Sequence, residues 1–244
     1  MFRQSTALAL LGALAASPVA AQDIVALDSY DYNTLYTEGY SARDLVEGAD
    51  AFDATGEDIG QLEDFVVGSD GEIVAVIAEV GGFLDIGDTH VSVPWSNVSL
   101  TAEGVQLDIT EETLPDFTVF NQDRMPDDIG SDVATRVDDA EVGPQRYRLS
   151  EVLGDYARLS GEANEVTNYG YVRDAIILDG RVEAVIVSPD SGFGARGYRA
   201  MPYAGTAGGY NPYGPYYDMP YRDDDVRELG EFDYDAMERG YERS

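Results

Sequence analysis

The chain has 244 residues, with 47 Asp and Glu against 15 Lys and Arg, and a formal net charge of −32 at pH 7. A field this negative argues against nucleic acids and anionic membranes as partners, because binding to phosphate groups depends on Lys and Arg. Cysteine is absent and histidine occurs once. This excludes a disulfide frame, and neither a catalytic triad nor a histidine-based metal centre is expected.

Residues 1–21 have the pattern of a secretory signal peptide. Arg3 provides a basic start, residues 7–16 form an apolar stretch, and Ala21 is a small residue at the expected cleavage position. A short buried helix or an uncleaved anchor is the alternative, but the apolar stretch is shorter than the roughly 20 residues that span a bilayer. We expect a periplasmic or secreted protein of a Gram-negative bacterium, without a membrane span after cleavage.

Residues 22–40 predict a flexible lead. The segment is acidic and contains four tyrosines without a sustained apolar period. We expect little order there, or at most one loosely docked segment.

Residues 41–115 predict a first unit built from short strands. Phe65–Val67 and Ile73–Ile77 are apolar, mostly β-branched runs separated by the tight turn Asp70-Gly71. After Gly81-Gly82, which indicates a bend, a further run ends at Pro94-Trp95. The number of strands, about six, favours a small closed barrel over a sheet with bare edges.

Residues 146–203 repeat the same order of features after a polar linker at 116–145. The turn Asp179-Gly180 separates two apolar runs, and Pro202-Tyr203 ends the unit as Pro94-Trp95 ends the first. Nothing after Tyr203 resembles the last strands of the first unit. The second barrel is therefore either truncated or completed by other parts of the chain.

Residues 204–244 form an acidic tail that begins with a stretch rich in Tyr, Gly and Pro. This composition supplies too little aliphatic surface to fold alone, so we expect disorder followed by a short, weak helix.

The first unit resembles the PRC-barrel family, named after the photosynthetic reaction-centre H subunit. The matching residues are Ala42-Arg43-Asp44-Leu45, Gly56-Glu57-Asp58-Ile59-Gly60, Asp70-Gly71-Glu72, Gly81-Gly82-Phe83-Leu84 and Val91-Ser92-Val93-Pro94-Trp95. The resemblance implies a mainly β fold with a compact β-barrel that acts by holding another protein, without catalysis. The second unit resembles the family only weakly, and we expect the two units to pair within the chain.

Five apolar or aromatic residues near the strand ends are candidate binding residues. They either close the barrels or serve as exposed anchors for a partner, since aromatic side chains are frequent binding hot spots. The five are Pro94, Trp95, Phe83, Tyr203 and Phe193.

Two acidic turns offer an alternative chemistry, the binding of calcium or another divalent cation. Carboxylates suit hard cations, but neither turn has the spacing of an EF-hand. The residues are Asp53, Glu57, Asp58, Asp70 and Glu72. His90 lies in a predicted strand and is expected to be a surface or packing residue.

The sequence thus favours an exported, non-enzymatic binding scaffold without a cofactor, whose partner is an unknown periplasmic or envelope protein. The alternative is an acidic, low-affinity cation-binding protein.

Overall fold

A computed structural model describes residues 24–81, 89–101, 103–110, 112–117, 146–161, 165–194, 196–205, 210 and 214–239. The described part is mainly β and contains two sheets, one for each predicted unit.

The described residues of the first half of the chain contain two short α-helices and seven strands. They are α1 (Tyr32–Glu38), β1 (Tyr40–Ser41), α2 (Ala42–Gly48), β2 (Asp50–Phe52), β3 (Asp58–Gly68), β4 (Ile73–Val80), β5 (Thr89–Pro94), β6 (Val98–Leu100) and β7 (Gly104–Leu107). The second half contains β8 (Arg146–Arg148), α3 (Leu149–Val152), β9 (Tyr156–Ser160), β10 (Val166–Leu178), β11 (Arg181–Pro189), β12 (Arg199–Pro202), β13 (Tyr216–Met219) and α4 (Asp223–Val226). None of the helices in these described ranges has the length and apolar character needed to cross a membrane.

The two sheets have corresponding strand orders. The first runs β5-β4-β3-β2-β7-β6 and the second runs β12-β11-β10-β9-β13. In each sheet one late strand lies parallel to an early one, β7 beside β2 and β13 beside β9. Their interior faces share one hydrophobic core, which contains Phe65, Val93, Val185 and Met201.

The two sheets agree in register at a pair of corresponding glycines. Gly60 lies opposite Val80 in the first sheet and Gly170 lies opposite Pro189 in the second. A Cβ atom at either glycine would overlap a backbone carbonyl of the neighbouring strand, that of Glu79 or Ser188. Both units therefore require glycine at this close approach.

The central hairpins form as the sequence predicts. Asp70-Gly71 joins β3 to β4, and Asp179-Gly180 joins β10 to β11. Gly71 and Gly180 have φ values of 87° and 75°, which glycine adopts without steric cost.

Each unit sends a short arm to the sheet of the other. The first arm, residues 40–48, pairs β1 with β10 of the second unit. The second arm, residues 146–152, pairs β8 with β3 of the first unit. The two sheets are thereby joined by a reciprocal exchange of strands.

The lead is more ordered than the sequence predicts in its described residues, 24–40. α1 is capped by Asp31 and buries Leu35 fully. Tyr30 donates a hydrogen bond to a carboxylate oxygen of Glu183 at 3.1 Å, and Leu35 packs in one cluster with Ile176. The segment docks on the second sheet because single apolar side chains fill sites there, without a sustained period along the sequence.

The tail also departs from the expected disorder, in residues 214–222, whereas the expected short helix forms as α4 (Asp223–Val226). β13 joins the edge of the second sheet and buries Tyr217 and Met219. Phe232 is buried further along. Aromatic side chains supply the apolar surface that aliphatic residues do not, and β13 gives β9 the neighbour that β7 gives β2. The second sheet is therefore completed by the tail.

Candidate functional site

The two units meet at a seam, which consists of the contacts made by the two arms and by the two hairpin turns. Asp174 on β10 is fully buried and receives three hydrogen bonds. Its donors are the Ser41 hydroxyl at 2.6 Å and the backbone amides of Arg43 at 2.9 Å and Ala175 at 2.7 Å. Asp174 therefore holds the first turn of α2, which belongs to the other unit. Burial raises the pKa of Asp174 to about 6, against the opposing effect of these hydrogen bonds.

Asp64 on β3 has the corresponding role toward the second arm. It is also fully buried. It accepts hydrogen bonds from the backbone amides of Phe65 at 2.8 Å and Ser150 at 3.1 Å, and from Arg148 Nε at 2.9 Å. Each unit thus contributes one buried carboxylate that fixes the arm of the other.

The two hairpin turns meet directly at the seam. Ile73 N donates to the carbonyl of Gly180 at 2.8 Å, and Val182 N donates to the carbonyl of Gly71 at 2.9 Å. Arg181 forms an ion pair with Glu72 at 3.1 Å across this contact.

The predicted binding residues Pro94, Trp95 and Tyr203 lie at or beside this seam. Trp95 and Tyr203 are half-buried, and each faces the turn glycine of the other unit: a Cβ atom at Gly180 would overlap Trp95 Nε1, and one at Gly71 would lie 3.0 Å from the Tyr203 ring. Pro94 lies opposite Ala75 at the end of β5. These positions favour closure of the two units over anchorage of a partner.

The other two predicted binding residues lie elsewhere. Phe193 packs edge to face against Tyr169, with ring centroids 4.9 Å apart, and lines a cavity of about 480 Å³ together with Arg199 and Asp223. Phe83 lies outside the described residues.

The five candidate cation ligands occupy two separate turns at opposite ends of β3, about 30 Å apart by the rise of a strand. Asp53 accepts hydrogen bonds from the backbone amides of Thr55 and Glu57 and from the Thr55 hydroxyl, which lower its pKa. Asp58 and Asp70 each accept one from a backbone amide, and Glu72 pairs with Arg181. These bonds account for the acidic turns as local structure.

A different group of side chains is exposed on the outer face of the second sheet. Tyr156 lies opposite Tyr171 on one side and opposite Tyr216 on the other, so three tyrosines form one row across adjacent strands. Tyr156 and Tyr216 are 36% and 39% exposed. We call Tyr156, Tyr171 and Tyr216 the tyrosine row.

The tyrosine row is internally organised and contains cationic neighbours. The rings of Tyr156 and Tyr171 have centroids 4.4 Å apart, and their hydroxyls are hydrogen bonded at 2.7 Å. The guanidinium of Arg158 lies 3.9 Å from the centroid of Tyr216, and Asp218 holds it with two hydrogen bonds of 2.5 and 2.8 Å. The row therefore presents rigid aromatic surface with fixed polar groups at its rim.

The corresponding row of the first sheet has a different chemistry. Asp50 and Gln61 take the places of Tyr156 and Tyr171, and Glu79 and His90 continue the row on β4 and β5. Glu63 lies beside them, with its Oε2 atom 3.0 Å from His90 Nε2. The two units thus share their internal contacts and differ on their outer rows.

Sequence reasoning missed both outer rows. The alternation of Tyr156, Arg158 and Ser160 with buried residues indicates that these side chains face solvent. The partners across the strands depend on register, which a single sequence does not give.

No curated protein matches the chain. A family model does match the first unit and its arm: residues 38–114 fit the PRC-barrel domain. The matched residues contain strands β2–β7 of the first sheet. The segment 38–114 of the chain is a PRC-barrel domain.

Proposed function

We propose that this protein is an exported, non-catalytic binding module that holds a basic partner protein in the periplasm through its tyrosine row. The PRC-barrel domain supports a protein-interaction module and belongs to a generally non-catalytic class. The observation that carries the proposal is the tyrosine row itself, three tyrosines in register on adjacent strands with two of them more than a third exposed.

Aromatic side chains and arginine are the residues that contribute most to protein interfaces. A tyrosine side chain has only two rotatable bonds to its ring, so it loses little conformational entropy on binding. The ring contacts and the bond between the hydroxyls of Tyr156 and Tyr171 reduce this loss further. The row can therefore bind without rearrangement.

The charge of the chain supports a basic partner. A net charge of −32 attracts cationic surfaces over long range and repels acidic ones. The tyrosines would contribute most of the binding free energy, and the surrounding acidic surface would mainly raise the association rate. The complex should therefore weaken as ionic strength rises.

The two units provide a matched pair of positions for testing this proposal. A photo-crosslinking amino acid at Tyr171 reports on the tyrosine row, and the same label at Gln61 reports on the equivalent position of the first sheet. In the native envelope, the label at Tyr171 should give one discrete adduct with a basic protein. The adduct should weaken with salt and disappear when Tyr156→Ala and Tyr216→Ala are added.

Equal adducts from the Tyr171 and Gln61 positions would contradict the proposal, as would an adduct that survives the double substitution. Circular dichroism of the doubly substituted protein checks that its fold is intact. Export is tested separately, by fractionation and N-terminal sequencing. A periplasmic protein that begins at Gln22 is expected, and a cytoplasmic protein that retains Met1 would contradict export.

A further inference from the structure

Glu63, Glu79 and His90 converge on the outer face of the first sheet, and we call them the Glu-Glu-His cluster. They come from three adjacent strands, β3, β4 and β5. One potential ligand atom from each side chain lies within 4.8 Å of the other two, and all three side chains are partly buried. Three metal-binding groups therefore face one point.

Local backbone structure brings the three groups together. His90 is directly opposite Glu79 in the antiparallel pair of β4 and β5. The register of β3 against β4 shifts between Leu62 and Asp64, so Glu63 has no residue directly opposite it. This bulge lets the Glu63 side chain reach His90, at 3.0 Å between Oε2 and Nε2.

The fold does not require this composition. In the register of the second sheet, Arg173 takes the place of Glu63 and Ser188 takes the place of Glu79. That unit keeps the buried aspartate and the close-approach glycine without any such cluster. The Glu-Glu-His cluster is therefore a property of the outer surface of the first unit and not of its packing.

The electrostatics favour a cation. Two carboxylates face the same point in a chain of net charge −32, so a divalent cation bound there would relieve their mutual repulsion. Gln61 Nε2 donates to Glu79 Oε2 at 3.1 Å and orients that carboxylate, as outer partners orient metal ligands.

We propose that Glu63, Glu79 and His90 bind a divalent first-row transition metal ion, with Zn²⁺ as the representative, and with water in the remaining positions. Imidazole and carboxylate together suit Zn²⁺, whereas Ca²⁺ takes oxygen ligands almost exclusively. Ligands about 2.1 Å from Zn²⁺ lie about 3.4 Å apart in a tetrahedron, which small side-chain rotations reach from the present separations. One histidine suffices because the glutamates supply the other protein ligands.

The single histidine makes the test specific. Untagged protein beginning at Gln22 is titrated with ZnCl₂ in the presence of excess Ca²⁺, by calorimetry and by NMR of the imidazole, whose signals belong to His90 alone. One Zn²⁺ should bind per chain, and the His90 signals should shift with the same stoichiometry. Glu63→Gln, Glu79→Gln and His90→Gln should each weaken binding by about tenfold or more.

Glu57→Gln is the matched control, because it removes a carboxylate from an exposed acidic turn and leaves the cluster intact. Its Zn²⁺ affinity should equal that of the unsubstituted protein. The proposal is overturned if the His90 signals do not move at saturating Zn²⁺, if Ca²⁺ displaces the ion at equal concentration, or if Glu57→Gln weakens binding as much as Glu79→Gln. The NMR readout keeps the result decisive should a substituted chain fail to fold.

Discussion

At the scale of single residues, Asp174 and Asp64 connect the two units across the seam. Each is fully buried and each accepts hydrogen bonds from an arm that belongs to the other unit. A buried carboxylate is stable only when such donors surround it. Both the donors and the acceptor therefore have to be present for either arm to dock.

Replacing Asp174 with Ala should lower the free energy of unfolding by about 2 kcal/mol or more, because the Ser41 hydroxyl and the Arg43 amide of the first arm lose their acceptor at a buried site. Urea denaturation measures the loss. Asp108→Ala changes an exposed aspartate and should leave stability within about 0.5 kcal/mol of the original. Equal effects of the two substitutions would show that Asp174 has no special role.

Asp155 makes the free energy of unfolding depend on pH in a defined direction. Burial, and then repulsion from Glu151, raise the pKa of Asp155 to about 6, above its ordinary value near 4. Between about pH 4 and 6 the folded state retains a proton that the unfolded state has released, so this group costs stability as pH rises. Asp155→Asn removes that cost.

The unsubstituted protein should therefore lose stability relative to Asp155→Asn as pH rises from about 4 to 6, and the difference should be constant above that range. Urea midpoints of both proteins over a pH series provide the measurement. A difference that stays constant from pH 4 to 6, or changes in the opposite direction, would exclude the raised pKa.

Single residues also show what a sequence can reveal. The turn glycines Gly71 and Gly180 were predictable, because an Asp-Gly pair between apolar runs specifies a local geometry. The burial of Asp64 and Asp174 was not, because their donors lie in arms more than 80 residues away in the chain.

At the scale of elements, the hairpin turn of the second unit is the best place to test the seam. Gly180 has a φ of 75°, and a Cβ atom there would also overlap Trp95 of the first unit. Gly154 has a similar φ of 95°, and a Cβ atom there would have no neighbouring atom within 4 Å. The comparison separates backbone strain from contact between units.

Gly154→Ala should cost about 1 kcal/mol through strain alone, and Gly180→Ala should cost about 3 kcal/mol, since it adds an overlap with a packed ring. The smaller ring of Trp95→Phe should reduce the additional cost of Gly180→Ala, which a double-mutant cycle in urea would measure. Additive effects of the two substitutions would show that Trp95 does not contribute to the cost of Gly180→Ala.

The tail provides a second test at this scale. Removing residues 205–244 takes away β13 and the buried side chains of Tyr217 and Met219. Hydrogen exchange should then accelerate in β9, which loses its parallel neighbour, and remain unchanged in β2, which keeps β7. Equal exchange in β9 with and without the tail would show that the tail does not stabilise the second sheet.

Strands and tight turns followed from residue patterns, whereas the helix α1 and strand β13 did not. Both elements are short, and both are held by contacts with the second sheet rather than by their own propensity. Periodicity detects an element that buries one continuous face. It does not detect a segment that inserts two or three aromatic side chains into a site made by residues far away.

At the scale of the whole molecule, each unit is incomplete without the arm of the other. A unit of about 60 residues buries only about 60% of its unfolded surface, which leaves it marginally stable. Residues 24–117 made alone retain Asp64 but lose its donors Arg148 and Ser150, together with the strand β8.

We predict that the fragment 24–117 unfolds at a lower urea concentration than the full chain, or associates into dimers that re-create the exchange. Sedimentation and urea denaturation over a range of concentrations distinguish these cases from a stable monomer. A monomer as stable as the full chain would show that pairing of the units is dispensable.

The likeness of the two sheets follows from a pattern in the sequence, since both units keep the same order of glycines, turns and closing aromatic residues. The candidate sites were not visible, because they are made of residues at which the units differ. Asp50 and Gln61 correspond to Tyr156 and Tyr171, and only the register of two sheets relates them.

The reciprocal arms join two units that lie in one chain, and this arrangement differs from an association of two separate subunits. Two identical subunits joined in this way would always carry identical outer surfaces, and their association would depend on protein concentration. Covalent linkage supplies a high effective concentration in place of free association. It also breaks the equivalence of the halves, so that one surface can change its chemistry while the other stays as it is.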